Sequence, residues 1–361
     1  MLAKIAFPFV LLTVFNCSIA CTNIMIQSKD NSVVVGRTLE FGPSLNSEIV
    51  TSPKGKTFSN TTSDGQSSQS WTAKYGFVYL NFFGQDHAVD GMNDQGLSIG
   101  LLYLPGYTQY PKVNKENLKN SIPYFQLGDW VLSQFKTTEE ARVALESLVV
   151  FDQMLTIDGQ QQSFPLHLVI NDAQGKSIVV EFNKGQKQIY ENSLGVLTNS
   201  PTFDWQLTNL KNYANLSPYA VEPIKVDGMI YSATGQGAGM VGLPGDSTPP
   251  SRFVKVAFLQ QTAFPVDNAE QAVVLSEHII DNVFIPNGMV RDAKGRPGTE
   301  TTQWTVFKDL KNGKLYFKSY NFPTLRVIDI TTLNLNAGAK VVRIPVSHPA
   351  LLAQDVTKEM K

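Results

Sequence analysis

The 361-residue sequence is poor in cysteine and histidine, with two of the first and four of the second. Two cysteines cannot staple a disulfide scaffold, and without a C-x-x-C pair there is no structural zinc or redox motif to read. His87, His167, His278 and His348 have no metal-like spacing, and His167 lies in the alternating run Leu166-His167-Leu168-Val169-Ile170, where a structural role is expected. An excess of one charge sign is also missing. With 30 Lys and Arg against 31 Asp and Glu, nucleic-acid binding by electrostatics alone is excluded. The hydrophobic fraction of 42% is too high for a disordered chain. No run of 18 uninterrupted apolar residues occurs, so no stable membrane span is expected.

What is present is concentrated near the start. Lys4 precedes the apolar run 5–15, which is too short to cross a bilayer, and Ser18-Ile19-Ala20 places small residues before a cut after Ala20. This pattern predicts a secretory signal peptide over 1–20, an exported, periplasmic or secreted product, and a single domain over 21–361. The cut removes Cys17 and leaves Cys21 as the first residue and the sole thiol. Three readings of Cys21 follow. It is a leftover cysteine without a role; or it carries lipid, making the product an exported lipoprotein with a binding role, although lipoproteins favour a large aliphatic where Ser18 stands; or it is an N-terminal nucleophile. An α-amine with a pKa of about 7.7–8.0 can serve as base for a thiol of about 8.5, with no histidine needed.

From Cys21 the chain reads as strand, turn and strand: Cys-Thr-Asn-Ile-Met-Ile-Gln, the turn 28–32, then Val33-Val34-Val35-Gly36-Arg37-Thr38-Leu39-Glu40-Phe41. The hairpin returns Arg37 and Glu40 to the neighbourhood of Cys21. There a cation would lower the thiol pKa and a carboxylate could hold the amine; the plainer alternative is an edge hairpin with a surface ion pair. Cys21-Thr22 with Gly36-Arg37-Thr38-Leu39-Glu40 resembles the start of the choloylglycine hydrolase family of N-terminal-nucleophile hydrolases, which includes conjugated bile acid hydrolases and penicillin V acylases. Further blocks follow in family order: 90–97 with 100–103, 197–207, Ser251-Arg252-Phe253-Val254 and Thr302-Gln303-Trp304. The resemblance implies that Cys21 is the nucleophile and its own base, with Arg37 beside the thiol. It implies that Glu40 stands where most bile salt hydrolases have an aspartate bonded to the amine. It implies that Asn199 and the Tyr103 backbone N–H hold the oxyanion and that Arg252 is a second catalytic cation. Bile salt hydrolases often carry asparagine at the Tyr103 position, whereas penicillin V acylases often carry tyrosine. Each residue also has a structural alternative: a turn for Asn199, core packing for Tyr103, a helix start for Arg252.

Two literal motifs point elsewhere. Gly96-Leu97-Ser98-Ile99-Gly100 matches a serine-hydrolase elbow, but the turn 93–96 precedes it and 97–104 reads as a strand. Gly237-Ala238-Gly239-Met240-Val241-Gly242 matches a dinucleotide fingerprint, yet runs into the loop 243–250, which reads instead as a wall of the substrate pocket. Strands are predicted over 22–28, 33–39, 75–82, 97–104, 166–170, 177–183, 194–198, 302–308, 313–320 and 325–331. Helices are predicted over 121–135, 139–149, 203–213, 252–262 and 268–283, with capping boxes at Thr137/Glu140 and Asp267/Glu270. The pattern is α+β, and the resemblance sharpens it to a four-layer α-β-β-α sandwich. The expected reaction is hydrolysis of a small-molecule amide joining an apolar acyl group to a small polar amine, through an acyl-thioester on Cys21. Conjugated bile acids, penicillin V and N-acyl homoserine lactones are the candidate substrates. No cofactor and no metal is required, and a homo-oligomer is compatible with the sequence.

Overall fold

The computed structural model of the protein describes residues 20–62, 64–294, 298–347 and 356–360. Nearly all of the expected leader, and His348, lie outside the described residues. The first strands are β1 (Cys21–Gln27) and β2 (Val33–Phe41). Between them the Ser28 backbone N–H donates to Ser32 O at 2.9 Å, and Asp30 accepts from the Ser32 N–H at 2.9 Å. This tight turn sets the antiparallel register, with Cys21 opposite Leu39 and Asn23 opposite Arg37.

There follow β3 (Glu48–Ser52), β4 (Phe77–Phe82), β5 (Gln85–Asn93), β6 (Leu97–Tyr103), β7 (Leu166–Asp172), β8 (Ser177–Asn183) and β9 (Gln186–Glu191). The last are β10 (Thr299–Asp309), β11 (Lys314–Ser319), β12 (Phe322–Asp329) and β13 (Arg343–Pro345). One antiparallel sheet runs β1-β2-β10-β11-β12, with the short strand Val290–Arg291 beside β10; the other runs β9-β8-β7-β6-β5-β4-β3-β13. Helices α1 (Leu127–Gln134) and α2 (Thr138–Ser147) cover the second sheet. Helix α3 (Phe203–Leu210) packs beside α4 (Pro249–Thr262), and α4 with α5 (Ala269–Asp281) covers the first sheet. The layers are therefore helix, sheet, sheet and helix, as the resemblance implied, and the main core lies between the sheets.

All nine residues of β2 are buried because both of its faces are covered. Strand alternation turns Arg37 toward the second sheet, where it meets Asp90, and Gly36 toward α5, where Ile280 lies against it. Two predicted elements differ. Residues 194–198 form no strand; Leu197 instead exchanges two backbone hydrogen bonds with Asn23, at 2.8 and 3.0 Å. The helix predicted over 121–135 begins only at Leu127. Pro123 holds the residue before it extended, and Ser121–Pro123 pairs in parallel with Val149–Phe151. Strand β5 escaped prediction because Asp90, Gly91 and Asn93 are weak strand formers, although they are buried in the sheet.

The N-caps were half anticipated. The Thr137 hydroxyl accepts from the Glu140 N–H at 3.2 Å, whereas α5 is capped by Asn268, which accepts from the Gln271 N–H at 3.0 Å. Asp267, one residue earlier, is engaged by Lys29 at the exposed surface instead. Asn268→Ala should therefore cost about 1 kcal/mol, and Asp267→Ala no more than a few tenths. Urea denaturation midpoints check the ranking, and an equal effect of both would refute the assignment.

Candidate active site

Cys21 opens β1 and is buried, with its side chain among apolar neighbours at the end of the two sheets. Arg37, two positions along β2 from Cys21's partner Leu39, places Nη2 at 3.8 Å from the Cys21 Sγ. Its other bonds run to Val89 O at 2.7 Å, Leu101 O at 2.5 Å and Asp90 Oδ2 at 3.1 Å, and Trp304 stacks on it at 5.3 Å. A guanidinium with no solvent contact is thus held in one place by two carbonyls and a carboxylate.

The second cation, Arg252, stands in the first turn of α4, where the helix dipole disfavours positive charge. Its bonds outweigh that. Nη1 donates to Cys21 O and to Thr22 Oγ1, both at 2.6 Å, Nη2 donates to Asn199 Oδ1 at 2.8 Å, and Nε donates to Ser247 O at 3.0 Å. Asn199 Oδ1 also accepts from the backbone nitrogen of Cys21 at 2.6 Å. Its Nδ2 donates to Tyr103 O at 2.7 Å, so the amide orientation is fixed by donors on one side and an acceptor on the other. Cys21, Asn199, Tyr103 and Arg252 form one connected network.

Glu40 is arranged differently from the expectation. Alternation along β2 turns it to the helix side of the first sheet. There its carboxylate accepts from Thr302 Oγ1 at 2.7 Å and Thr38 Oγ1 at 3.1 Å, and the Cys21 nitrogen is bonded to Asn199 instead. Only the Glu40 backbone reaches the start of β1, its N–H donating to Ala20 O at 2.9 Å.

Burial dominates the titration of the site. It pushes the Cys21 thiol up, against the pull of Arg37 and, more weakly, Arg252, while Glu40 adds to the rise. It pushes Glu40 up to about 7, offset in part by Arg252 and the two threonine hydroxyls. Glu300, behind Arg252, is pushed up to about 7 by the same cause.

Two cavities flank Cys21 and Asn199. On the thiol side is a small apolar pocket walled by Phe41, Leu45, Phe82, Phe83, Phe164 and Leu166, with Cys21 and Arg37 also lining it. On the Asn199 side is a larger cleft whose wall includes Ala20, Pro105, Pro249 and Val290, with Ser247 and Glu300 among its polar residues. Only the end of the Gly/Pro-rich loop reaches this cleft; Gly239 packs on the Ser217 and Tyr219 carbonyls, away from it. Ser98 lies within β6, buried, as the strand reading required.

Lys308, Asp90 and Glu181 were given no role in the sequence. Lys308 and Asp90 are buried behind Arg37; a lysine inside Trp-Thr-Val-Phe-Lys-Asp was the available signal. His167 and Glu181 form a buried pair beneath the Asn199 turn, His167 Nε2 at 2.9 Å from Thr198 O and Glu181 accepting from the Phe203 N–H at 3.0 Å. The structural role expected for His167 is thus the support of that turn.

An α-β-β-α sandwich whose first strand opens on a buried cysteine beside an arginine belongs to the N-terminal-nucleophile hydrolase type. Residues 21–343 match the model of the linear amide C–N hydrolases, choloylglycine hydrolase family. The chain is 34% identical over 320 residues to a bile salt hydrolase/transferase of Clostridium perfringens, covering 88% of this chain and 94% of that one. A mutant of the conjugated bile acid hydrolase from the same organism superposes with a TM-score of 0.82 at 32% identity, over 93% of this chain and 99% of that one. The penicillin V acylase of Agrobacterium tumefaciens superposes at 0.72 with 26% identity, over 90% and 91%. The chain belongs to the choloylglycine hydrolase family and is a linear amide hydrolase of the bile salt hydrolase and penicillin V acylase type.

Because Glu40 titrates higher in the fold than in the unfolded chain, the folded protein holds its proton longer. Stability should therefore fall as pH rises from about 4.5 to about 7, by roughly 2–4 kcal/mol at most, and then level off. Glu40→Gln should remove this part of the slope, as read from Tm against pH for both proteins. Parallel curves would refute it.

Proposed function

We propose that the protein is an exported cysteine hydrolase. In this reading it cleaves a linear amide between an apolar acyl group and a small polar amine, once residues 1–20 are removed and Cys21 carries a free α-amine. The observation that carries this reading is the placement of the Cys21 thiol in a phenylalanine-walled pocket, with Ala20 and Asn199 on its other side lining a second cleft that also holds Ser247, Thr248 and Glu300. In this reading the acyl group enters the first and the amine the second. The family match beginning at residue 21, with the apolar run 5–15 and Ser18-Ile19-Ala20 before it, supports cleavage after Ala20. Lipidation fits poorly, since a buried thiol cannot carry a lipid without leaving its site.

In the reaction the α-amine takes the thiol proton, directly or through a water. The thiolate adds to the amide carbonyl carbon, and the oxyanion is met by the Asn199 side-chain amide and the Tyr103 N–H, donors of a kind worth roughly 10²–10³ in rate. The C–N bond breaks as the leaving nitrogen takes the proton. Water then hydrolyses the acyl-thioester and restores thiol and amine. Arg37 favours the thiolate by its position at 3.8 Å, and Arg252 holds the Cys21 carbonyl and Asn199. Tyr103 together with the aromatic acyl pocket favours an aryl-acyl amide such as penicillin V over a hydroxylated steroid conjugate.

Cys21→Ala should lose amide hydrolysis by at least about a thousandfold in a panel of penicillin V, glycocholate, taurocholate and acyl homoserine lactones. Full activity in a chain that retains residues 1–20 would overturn the mechanism. Intact mass of the exported product tests the cleavage, a bare Cys21 supporting it and a diacylglyceryl adduct refuting it.

A further inference from the structure

Behind the Cys21 thiol, between the two sheets, lies a charge cluster of which the reaction above uses only Arg37. Arg37 and Lys308 project from the first sheet and Asp90 from the second, and none has solvent contact. Asp90 is shared: Oδ2 accepts from Arg37 Nη1 at 3.1 Å and Oδ1 from Lys308 Nζ at 2.7 Å. Lys308 also donates to Ile99 O at 3.0 Å. Gly100, opposite Asp90 in register, makes the room, since a Cβ there would stand 3.3 Å from Arg37 Cδ and 3.5 Å from Asp90 Oδ2.

The trio has two cations and one carboxylate. Surplus charge in a dry interior is costly unless it is paired. The group beside it that can supply the missing negative charge is Cys21, whose Sγ faces Arg37 Nη2 at 3.8 Å. The other ionisable groups facing the thiol are Arg252, which lowers its pKa, and Glu40, which raises it. Arg252 on α4 is shared electrostatically by Glu40 on β2 and Glu300 on β10.

We propose that Asp90 and Lys308 are positioning residues for the nucleophile: Lys308 fixes Asp90, Asp90 fixes the Arg37 guanidinium, and the surplus cation makes the Cys21 thiolate the form that completes the cluster's charge. The proposal rests on Cys21 being the attacking group. It also gives the glycine of the false serine-elbow motif a use, as the opening through which Arg37 passes.

The test is the rate of iodoacetamide alkylation against pH, quantified at Cys21 by peptide mass in the full chain. It needs no substrate, so its failure is distinct from a failure of the hydrolysis reading. Lys308→Met removes the surplus cation and should raise the apparent thiol pKa by about one unit, slowing alkylation about tenfold at pH 7. In steady-state kinetics the same variant should lower kcat on the acid side while KM stays within about twofold. Asp90→Asn leaves two cations facing the thiol and should move the thiol pKa the opposite way, downward. Lys308→Arg should return the wild-type profile. If Lys308→Met does not fold, Lys308→Gln reads the same loss of charge with an amide left to bond Asp90. Unshifted profiles, shifts of the same sign in the Lys308 and Asp90 variants, or failure of all these variants to fold would overturn the proposal and leave a purely structural cluster.

Discussion

A guanidinium buried between two sheets is the constraint on which the rest of the structure depends. Removing an arginine from water costs several kcal/mol unless its donors are met. Arg37 is met from three directions at once, by Val89 O and Leu101 O of the second sheet, by Asp90, and by the Cys21 thiol. These partners come from β1, β5 and β6, so the bonds are satisfied only when both sheets are formed and correctly stacked. Register is specified by the same group. A slip of one residue in β2 would carry Arg37 to the helix side, where α5 packs its apolar residues, and bring Glu40 or Thr38 inward.

The chemistry is partitioned by that alternation. Odd-numbered positions of β2 serve the thiol and even-numbered ones serve the opposite face, so Glu40 is close to Cys21 in sequence pairing and yet bonded to Thr38 and Thr302. The role of ordering the start of β1 falls instead to Arg252 and Asn199, which arrive from 231 and 178 residues away. Arg252 tolerates an unfavourable helix end because its guanidinium makes four bonds there, to Cys21 O, Thr22 Oγ1, Ser247 O and Asn199 Oδ1. Its burial depresses its own affinity for a proton, and Glu40 and Cys21 counter this. A negative charge forming near Cys21 would relieve the same strain.

Much of this was legible in the sequence because it is local. The β1–β2 hairpin follows from alternating apolar residues around a Ser-Lys-Asp-Asn-Ser turn, and the hairpin alone puts Arg37 near Cys21. Ser98 was separable from a true elbow because the turn came before it rather than after. What could not be read is non-local pairing. The exchange of backbone bonds between Leu197 and Asn23 looks in sequence like one more strand. The hydroxyl that meets the Glu40 carboxylate belongs to Thr302, 262 residues away. The Asp90–Lys308 pair joins residues 218 apart, and neither is unusual until the stacking of the sheets removes water from both. Capping is the intermediate case, since Asp267 and Asn268 are both good caps and only the fold shows that Asn268 takes the position while Asp267 pairs with Lys29.

The position of Ala20 links the folding argument to the chemical one. Its carbonyl is held by the Glu40 N–H, the following peptide nitrogen by Asn199 Oδ1, and the next carbonyl by Arg252. The peptide on either side of the nucleophile is therefore already bonded as part of β1 while residue 20 is attached. Ala20 also lines the cleft beside Asn199, the side to which the proposed function assigns the amine portion of a substrate. Ala20 and an amine occupying that cleft would compete for the same space. In the function proposed above, a cut after Ala20 would therefore do two things with one bond, creating the basic amine and taking Ala20 out of the cleft, with the Arg37 and Arg252 bonds to side chains left as they stand.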